Sequence, residues 1–404
     1  MSAGDPEEPH VLIIGAGIIG TILAHSLRAN NIPFTLYERD AHISSRGQGW
    51  GISFHWALPT LLTLLPRHLH PLLHQSAIYP GPADVGITCV DARTLERRYN
   101  IPPQRRLNVR REQLRRLLLA ELPVRWGKRV VSVHKDSESR VRAVFSDGSS
   151  ACGTFLVGAD GAGSMVRSLL LPDPKAGRLM QLPVRGVGFS LELPRWRVEP
   201  LLKAGGVIWM AVCEGGTYLW FSVLETPATP EGEFTVQMQL SWLWKSCGDD
   251  VPVGNEKRVQ MVKRRVRGFA AELRDAIGCL TQDTVVAELR LADWSRCEWS
   301  NLGDRVALVG DAAHAMTMFR GEAANHGVAD VMALVEGLKK VRAGQMEMGE
   351  MLATYEKDVR DRCKPAVLAS RQACLDAHRL ENVREGSPLL TRGLVTGKER
   401  TARL

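Results

Sequence analysis

Residues 10–40 carry the feature that most constrains the fold. A short apolar run, His10-Val11-Leu12-Ile13-Ile14, meets Gly15-x-Gly17-x-x-Gly20 with nothing between. Beyond the glycines, apolar residues recur at Ile22, Leu23 and Leu27, and a further apolar run over 33–40 contains Glu38 near its end. A short continuous run predicts a buried strand, and the middle spacing suits a helix lying on a sheet. The result is a β–α–β unit in about thirty residues. Each glycine has its own task. Gly15 allows a tight turn out of the strand, Gly17 lets backbone approach a pyrophosphate, and Gly20 lets the helix pack on the sheet. The helix N-terminus then offers unpaired N–H groups and a favourable dipole to the anion. Glu38 is placed to accept hydrogen bonds from the ribose hydroxyls of an adenosine. A ligand-free glycine turn is the bland alternative, and the strand–turn–helix context with a downstream acid argues against it. The motif alone does not separate FAD from NAD.

The rest of the 404 residues predicts an α/β protein in which a mainly antiparallel block is inserted into a nucleotide-binding domain. Strands are expected near 124–134, 140–147 and 153–158. A helix is expected over 108–122, where Leu114, Leu117, Leu118 and Leu122 share a face and Pro123 follows. From about 178 to 245, apolar runs separated by turn residues read as antiparallel strands. Helical, charged residues follow over 256–278, then a buried strand from Arg305, then helices over about 325–341 and 347–378. The expected organisation is a Rossmann-like nucleotide-binding domain over 1–177, a mainly antiparallel insertion over 178–284, a return to the first domain with C-terminal helices over 285–380, and a loosely packed tail over 381–404.

Composition excludes several classes. A formal charge of +8 is mild for this length and favours an anionic ligand over nucleic acid. The arginines Arg105, Arg106, Arg110, Arg111, Arg115 and Arg116 come without an aromatic platform or RNA-binding signature. Most of them read as a solvated helix face, Arg111 excepted. The eight cysteines are scattered, with no C-x-x-C pair, which argues against a zinc site and a disulfide scaffold. No basic-then-apolar leader opens the chain and no run reaches the roughly 18 apolar residues of a membrane span. A cytoplasmic location is expected, with peroxisomal import through Ala402-Arg403-Leu404 as the alternative.

Two later motifs carry chemistry. In Phe155–Arg167 a buried strand ends at Gly158-Ala159-Asp160-Gly161, and a helix starts near Ser164 as N-cap. In 305–327 a strand delivers Asp311 at its carboxyl edge, where open α/β sheets bind ligands. His314, Met318, Phe319 and Gly321-Glu322-Ala323-Ala324-Asn325 follow. Asp311 and His314 lack a third ligand at metal-binding spacing, so no metal is expected. No G-x-S-x-G elbow supports a hydrolase.

In this order and near these spacings, the three motifs resemble the class A flavoprotein monooxygenases, the aromatic hydroxylase group. Within it the chain is similar to single-component enzymes of fungal secondary metabolism, over roughly residues 8–380. The resemblance implies that Gly15, Gly17, Gly20 and Glu38 hold the ADP half of FAD, with Gly51 near the flavin and Arg111 reaching the cofactor. It places Asp160 and Gly161 where FAD and NAD(P)H requirements meet, Asp311 at the ribityl or pyrophosphate region, and the backbone of Ala323, Ala324 and Asn325 along the flavin N1–O2 edge. Met318 and Phe319 would line the substrate pocket. Arg185 and Tyr218 would face the substrate from neighbouring strands, the arginine steadying a phenolate or enolate. The chemistry implied is oxygen transfer from a flavin C4a-hydroperoxide, using NAD(P)H and O2, to an aromatic, polyketide-like or indole-like molecule. A flavin reductase or dehydrogenase on the same fold, and an inactive dinucleotide-binding scaffold, are the rivals. The chain departs from the family where Met318 replaces a frequent Pro and where Ala323-Ala324 replaces Gly-Gly. Alanine at a position needing positive φ would disturb the flavin loop. Trp242-Leu243-Trp244 partly matches a flavin-halogenase motif, but the Ile-Pro that should follow is absent, so an alternating strand is expected there.

Overall fold

The computed structural model describes residues 10–45, 50–78 and 83–391. These residues form two compact units. The first is built from the chain up to Ser76, Arg110–Met180 and Ala292–Leu368, and the second from Ala77–Val109, Gln181–Leu291 and the chain from Ala369 on.

In the first unit, β1 (Val11–Ile14) is buried along its whole length and leads through the glycine turn into α1 (Ile18–Ala29), then β2 (Phe34–Tyr37). β1 lies between β2 and a later strand, named β6 below (Phe155–Gly158), with Val11 in register with Phe34 on one side and Phe155 on the other. The sheet is closed by a short strand β5 (Val124–Arg125) beside β2 and by β12 (Val306–Leu308) beside β6, and every pairing is parallel. Strands buried on both faces need continuous apolar runs, which these have. The carboxyl ends of β1, β6 and β12 are therefore neighbours, and each carries one of the three motifs.

In the second unit a twisted sheet runs in the order β11 (Ala287–Leu289), β7 (Val184–Pro194), β10 (Glu233–Leu243), β9 (Thr217–Glu225), β8 (Ile208–Val212), β3 (Ala83–Asp91), β4 (Arg97–Arg110). All neighbours are antiparallel except β3 and β8, where Trp209 faces Thr88 in parallel register. Alternate side chains form the core. Val187, Phe189, Phe221, Met238, Leu240 and Trp209 pack against Val198, Val262, Leu273 and Ile277 of three covering helices. The Trp209 and Phe221 rings stack at 4.9 Å.

Three expectations change. Residues 83–110, assigned above to the nucleotide half, form two strands of the second sheet. The helix expected over 108–122 is α2 (Arg111–Leu119), because Asn108, Val109 and Arg110 finish β4 first. The chain after Asn382 is packed as far as Thr391, with Leu389 fully buried and the Ser387 hydroxyl donating to Asp376 at 2.8 Å.

Candidate functional site

At the end of β1, Gly15 has φ +113, and a Cβ there would lie 2.5 Å from the Ala159 carbonyl oxygen. A Cβ on Gly20 would lie 2.0 Å from the Gly15 carbonyl oxygen. Both positions require glycine sterically. Gly17 differs, since a Cβ there would meet nothing within 4 Å. It is the N-cap of α1, with no side chain capping the helix and no acid in the first turn. The helix thus opens onto space at its positive end, which suits a pyrophosphate.

Glu38 is buried and bound inward. Its Oε2 accepts from the Ala16 N–H at 3.0 Å and from Arg115 at 3.4 Å, and its Oε1 accepts from the Asp40 N–H at 3.1 Å. Arg115 also donates to the Ala16 and Ile43 carbonyls at 3.0 and 3.2 Å. This buried arginine ties α2 to the glycine loop, and it was expected on a solvated face. Arg106 is buried too, on β4. The signal available for Arg115 was its place four residues after Arg111 and beside Leu114, on the apolar stripe.

At the end of β6, Asp160 accepts from the Ser164 hydroxyl and from the Met165 and Val166 N–H groups at 2.7 and 3.1 Å. Ser164 accepts from the Arg167 N–H at 2.9 Å, as expected of an N-cap. Withdrawal from solvent raises the Asp160 carboxyl above its usual range, against the pull of those donors. Gly161 follows with φ +82. Arg167, in the short helix α3 (Met165–Leu169), was missed as a site residue. It donates to the carbonyls of Asp311 and Ala312 at 3.1 and 3.0 Å and to that of Ala162 at 2.5 Å, under the face of Trp294. Burial lowers its pKa to about 10, which leaves it cationic at neutral pH. Arg167 therefore staples the second motif to the third.

At the end of β12, Gly310 turns the chain with φ +60 and Asp311 opens a single helical turn. The Asp311 carboxylate has no hydrogen-bond partner among the described residues. Desolvation raises its pKa, while His314, Arg111 and Arg167 pull it down. Beneath it, fully buried Asp330 accepts from the Gly310 N–H at 2.8 Å, from His314 Nε2 at 2.6 Å and from Arg362 at 2.8 Å. His314 is thus part of the support and is fully buried. Ligand-type atoms of His314, Asp330 and Cys363 do come within 4.8 Å of one another. The Asp330 oxygens, however, are already occupied by an N–H, an imidazole and a guanidinium, and the cation Arg362 opposes a metal ion there.

The 318–325 segment settles the question about its alanines. Positive φ falls on Gly321, at +64, while Ala323 and Ala324 begin α4 (Ala323–Arg342) without it. Asn325 is fully buried. Its Oδ1 accepts from the His55 N–H at 2.9 Å, and its Nδ2 donates to the Ser53 carbonyl at 3.0 Å. Its side chain is a brace, and only its backbone is left for a ligand. Glu322 pairs with Arg320 through two 3.0 Å contacts, both side chains buried. Met318 is partly exposed and Phe319 buried. Gly51 starts the strand Gly51–Phe54, and the Arg111 N–H donates to the Trp50 carbonyl at 3.0 Å. Residues 46–49 and 402–404 lie outside the described residues.

Arg185 and Tyr218, expected to face a substrate together, lie on opposite faces of the second sheet. Arg185 is in register with Trp242, on the core side, whereas Tyr218 is in register with Ser241 and Val212 on the other. Arg185 instead pairs with Asp250 at 2.9 Å and covers the Trp244 ring. Side chains alternate along a strand, so the two cannot act on one ligand. Trp242 is buried, with its indole N–H donating to the Asp249 carbonyl at 2.8 Å.

Comparison with known proteins accords with this geometry. A family model described as an FAD binding domain matches residues 251–370. The FAD-dependent monooxygenase dbaB of Emericella nidulans is 39% identical over 350 residues, spanning 83% of this chain and 87% of that protein. Among solved structures, 2,6-dihydroxypyridine-3-hydroxylase from Arthrobacter nicotinovorans shares the fold with a TM-score of 0.77 at 19% identity, over 97% of this chain and 98% of that one. Klebsiella pneumoniae HpxO complexed with FAD and uric acid does so at 0.76 and 21%, over 95% and 93%.

Proposed function

The chain belongs to the FAD-dependent monooxygenases, and on that footing we propose that it uses NAD(P)H and O2 to hydroxylate or epoxidise a flat aromatic, polyketide-like or indole-like molecule. In this reading the first unit holds FAD and the second unit's sheet receives the substrate. The observation that carries it is the meeting of three motif loops at the carboxyl ends of adjacent parallel strands, where ligands of open α/β sheets bind.

The residues fit the group. The space over Gly17 and the uncapped start of α1 suit the pyrophosphate. The unpartnered carboxylate of Asp311 is an acceptor for a hydroxyl of the ribityl chain. Glu38 and Arg115 position the glycine loop, and Asp160 with Arg167 positions the second loop. The first N–H groups of α4, at Ala323, Ala324 and Asn325, offer a positive dipole end to negative charge on the reduced ring. When bound, FAD reduced by NAD(P)H supplies the activation of O2 from which one oxygen atom passes to the substrate. The protein holds the reacting partners in place and keeps water out. In the first unit Met318 and Phe319 are assigned to the apolar lining beside the flavin loop, and in the second Tyr218 is assigned to the substrate face of the sheet. The role given to Arg185 is withdrawn, because it lies on the core face. The scaffold reading loses its support, since neither Ala323 nor Ala324 is at positive φ. Among the described residues no helix is long and apolar enough to cross a membrane.

Incubation of the flavin-loaded protein with NAD(P)H, candidate aromatics and ¹⁸O₂ tests the proposal. One labelled oxygen per product molecule is expected. NAD(P)H oxidation with unlabelled, dehydrogenated product would make the protein a dehydrogenase instead.

A further inference from the structure

The start of α4 is open although an acid stands beside it. The helix begins with Ala323 and Ala324, whose side chains cannot cap it, and its first turn holds no acid. The residue at its N-cap is Glu322. A carboxylate at that place is drawn to the unpaired N–H groups and to the positive end of the dipole. Glu322 nevertheless makes no capping bond. The N–H groups of Ala323, Ala324 and Asn325 accordingly have no partner among the described residues.

Arg320 accounts for this. Its Nε donates to Oε2 of Glu322 and its Nη2 to Oε1, both at 3.0 Å, so both carboxylate oxygens face the guanidinium. Gly321 between them has φ +64, a left-handed turn that lets side chains two residues apart meet. A two-pronged pair of this kind is strong and directional. Both side chains are buried, so water competes little for either. A role in stability explains the pair poorly. Its members are close in the chain, so their bond closes no long loop. Withdrawing two charges from water often costs as much as their attraction returns. Asp330 differs, since it joins Gly310, His314 and Arg362 from separate segments.

We propose that Arg320 is a positioning residue for the flavin site: it holds the Glu322 carboxylate off the first turn of α4 and cancels its charge, which keeps those N–H groups open to negative charge on the reduced ring. This rests on the reading that the first unit holds FAD with the ring at the start of α4. Without Arg320 the carboxylate either caps the helix or stands unpaired beside it, and in both cases the reduced ring loses stabilisation. Without the Glu322 charge, the guanidinium adds to the dipole. The two single changes therefore act in opposite directions on one quantity.

Reductive titration of the FAD-loaded protein against a reference dye reads that quantity as the two-electron midpoint potential, with no substrate and no turnover. Arg320→Gln should lower the potential by about 30 mV or more, a tenfold shift of the oxidised–reduced equilibrium. Glu322→Gln should raise it by a similar amount. The double variant carrying both changes should return to within about twofold of the wild-type equilibrium. If Arg320→Gln retains no FAD, the rise in Glu322→Gln and the return in the double variant still decide the matter. Shifts of the same sign in both single variants, unchanged potentials beside lowered melting temperatures, or a double variant displaced from wild type would each overturn the proposal. Failure of the FAD reading is distinguishable, because wild-type protein would then show no flavin absorption before any titration.

Discussion

The two units treat buried polar groups in different ways. In the first, buried charges are paired and shared. Asp330 serves an N–H, an imidazole and a guanidinium, Glu38 serves two N–H groups and Arg115, and Arg167 serves four carbonyls. In the second, the sheet face opposite the apolar core holds one buried acid, Asp91, paired with Arg98, and a neutral pair, Ser241 with His378. A cofactor of fixed shape calls for loops held to within fractions of an ångström, and charge-assisted bonds provide that. Buried charge thus marks anchoring in the first unit.

The most severe way to break that contrast is to remove the shared anion. Asp330→Ala leaves His314 buried without its carboxylate, leaves Arg362 with Asp358 alone, and frees the Gly310 N–H that shapes the Asp311 turn. Loss of one member of a buried ion pair typically costs about 3–5 kcal/mol. Urea unfolding should show a loss of that size, and the purified protein should lose flavin on gel filtration. If Asp330→Ala changes neither, the charged network is not what holds the third loop.

A milder test uses pH, because His378 in the second unit and His314 in the first are shifted in opposite directions. Burial of His378 lowers its pKa to about 4 from an ordinary value near 6.5. Between these values the unfolded chain takes up a proton that the folded imidazole refuses. The contribution is complete above pH 6.5 and falls as pH drops through 6.5 toward 4, by at most about 3 kcal/mol. His314 behaves in reverse. Burial alone would lower its pKa, but the neighbouring Cys363 and Asp330 outweigh burial and raise it well above the ordinary value. Its contribution is complete below 6.5 and declines as pH rises toward the raised value. Stability measured by urea midpoint against pH should therefore fall on both sides. His378→Asn should flatten the acid limb alone, and His314→Asn the alkaline limb alone. A His378→Asn protein with the wild-type acid slope would mean that the second unit's face does not depend on a neutral imidazole.

The same contrast explains what could be read from the chain beforehand. The cofactor side was legible because its demands are local. Gly15 and Gly20 are required by contacts within a few residues or on the adjacent strand, Ser164 caps the helix that it precedes, and Asp311 ends an obvious buried strand. Arg115, Arg167 and Asp330 were not legible, since the segments they tie together lie up to 145 residues apart in the chain and nothing in their own neighbourhoods announces burial. Residues 83–110 escaped for another reason. Their strands are rich in arginine, interrupted by Pro102-Pro103 and broken by register shifts, so the two-residue alternation is blurred. Which face of the second sheet each residue occupies depends on register, and a shift of one residue exchanges the faces. That is why Arg185 and Tyr218 could be placed on neighbouring strands from the chain alone but not on a common side.

The smallest expected effect sharpens the comparison most finely, because it asks whether face or residue type decides a role. Arg185→Ala removes a cation from the second unit's sheet. If proximity in the fold were sufficient, a phenolate-binding arginine would be lost and kcat/KM would fall by orders of magnitude. The register says otherwise. Arg185 is directed to the core side, where it pairs with half-exposed Asp250 and lies 5.1 Å from the centre of the Trp244 ring. Partly exposed pairs of this kind contribute about 0–1 kcal/mol, so urea midpoints should move little and steady-state kinetics should change by less than about twofold. Tyr218→Phe, on the opposite face, is the matched control and should alter KM for the aromatic substrate while the fold is kept. A large kinetic loss at Arg185 with none at Tyr218 would reverse the roles given to the two faces.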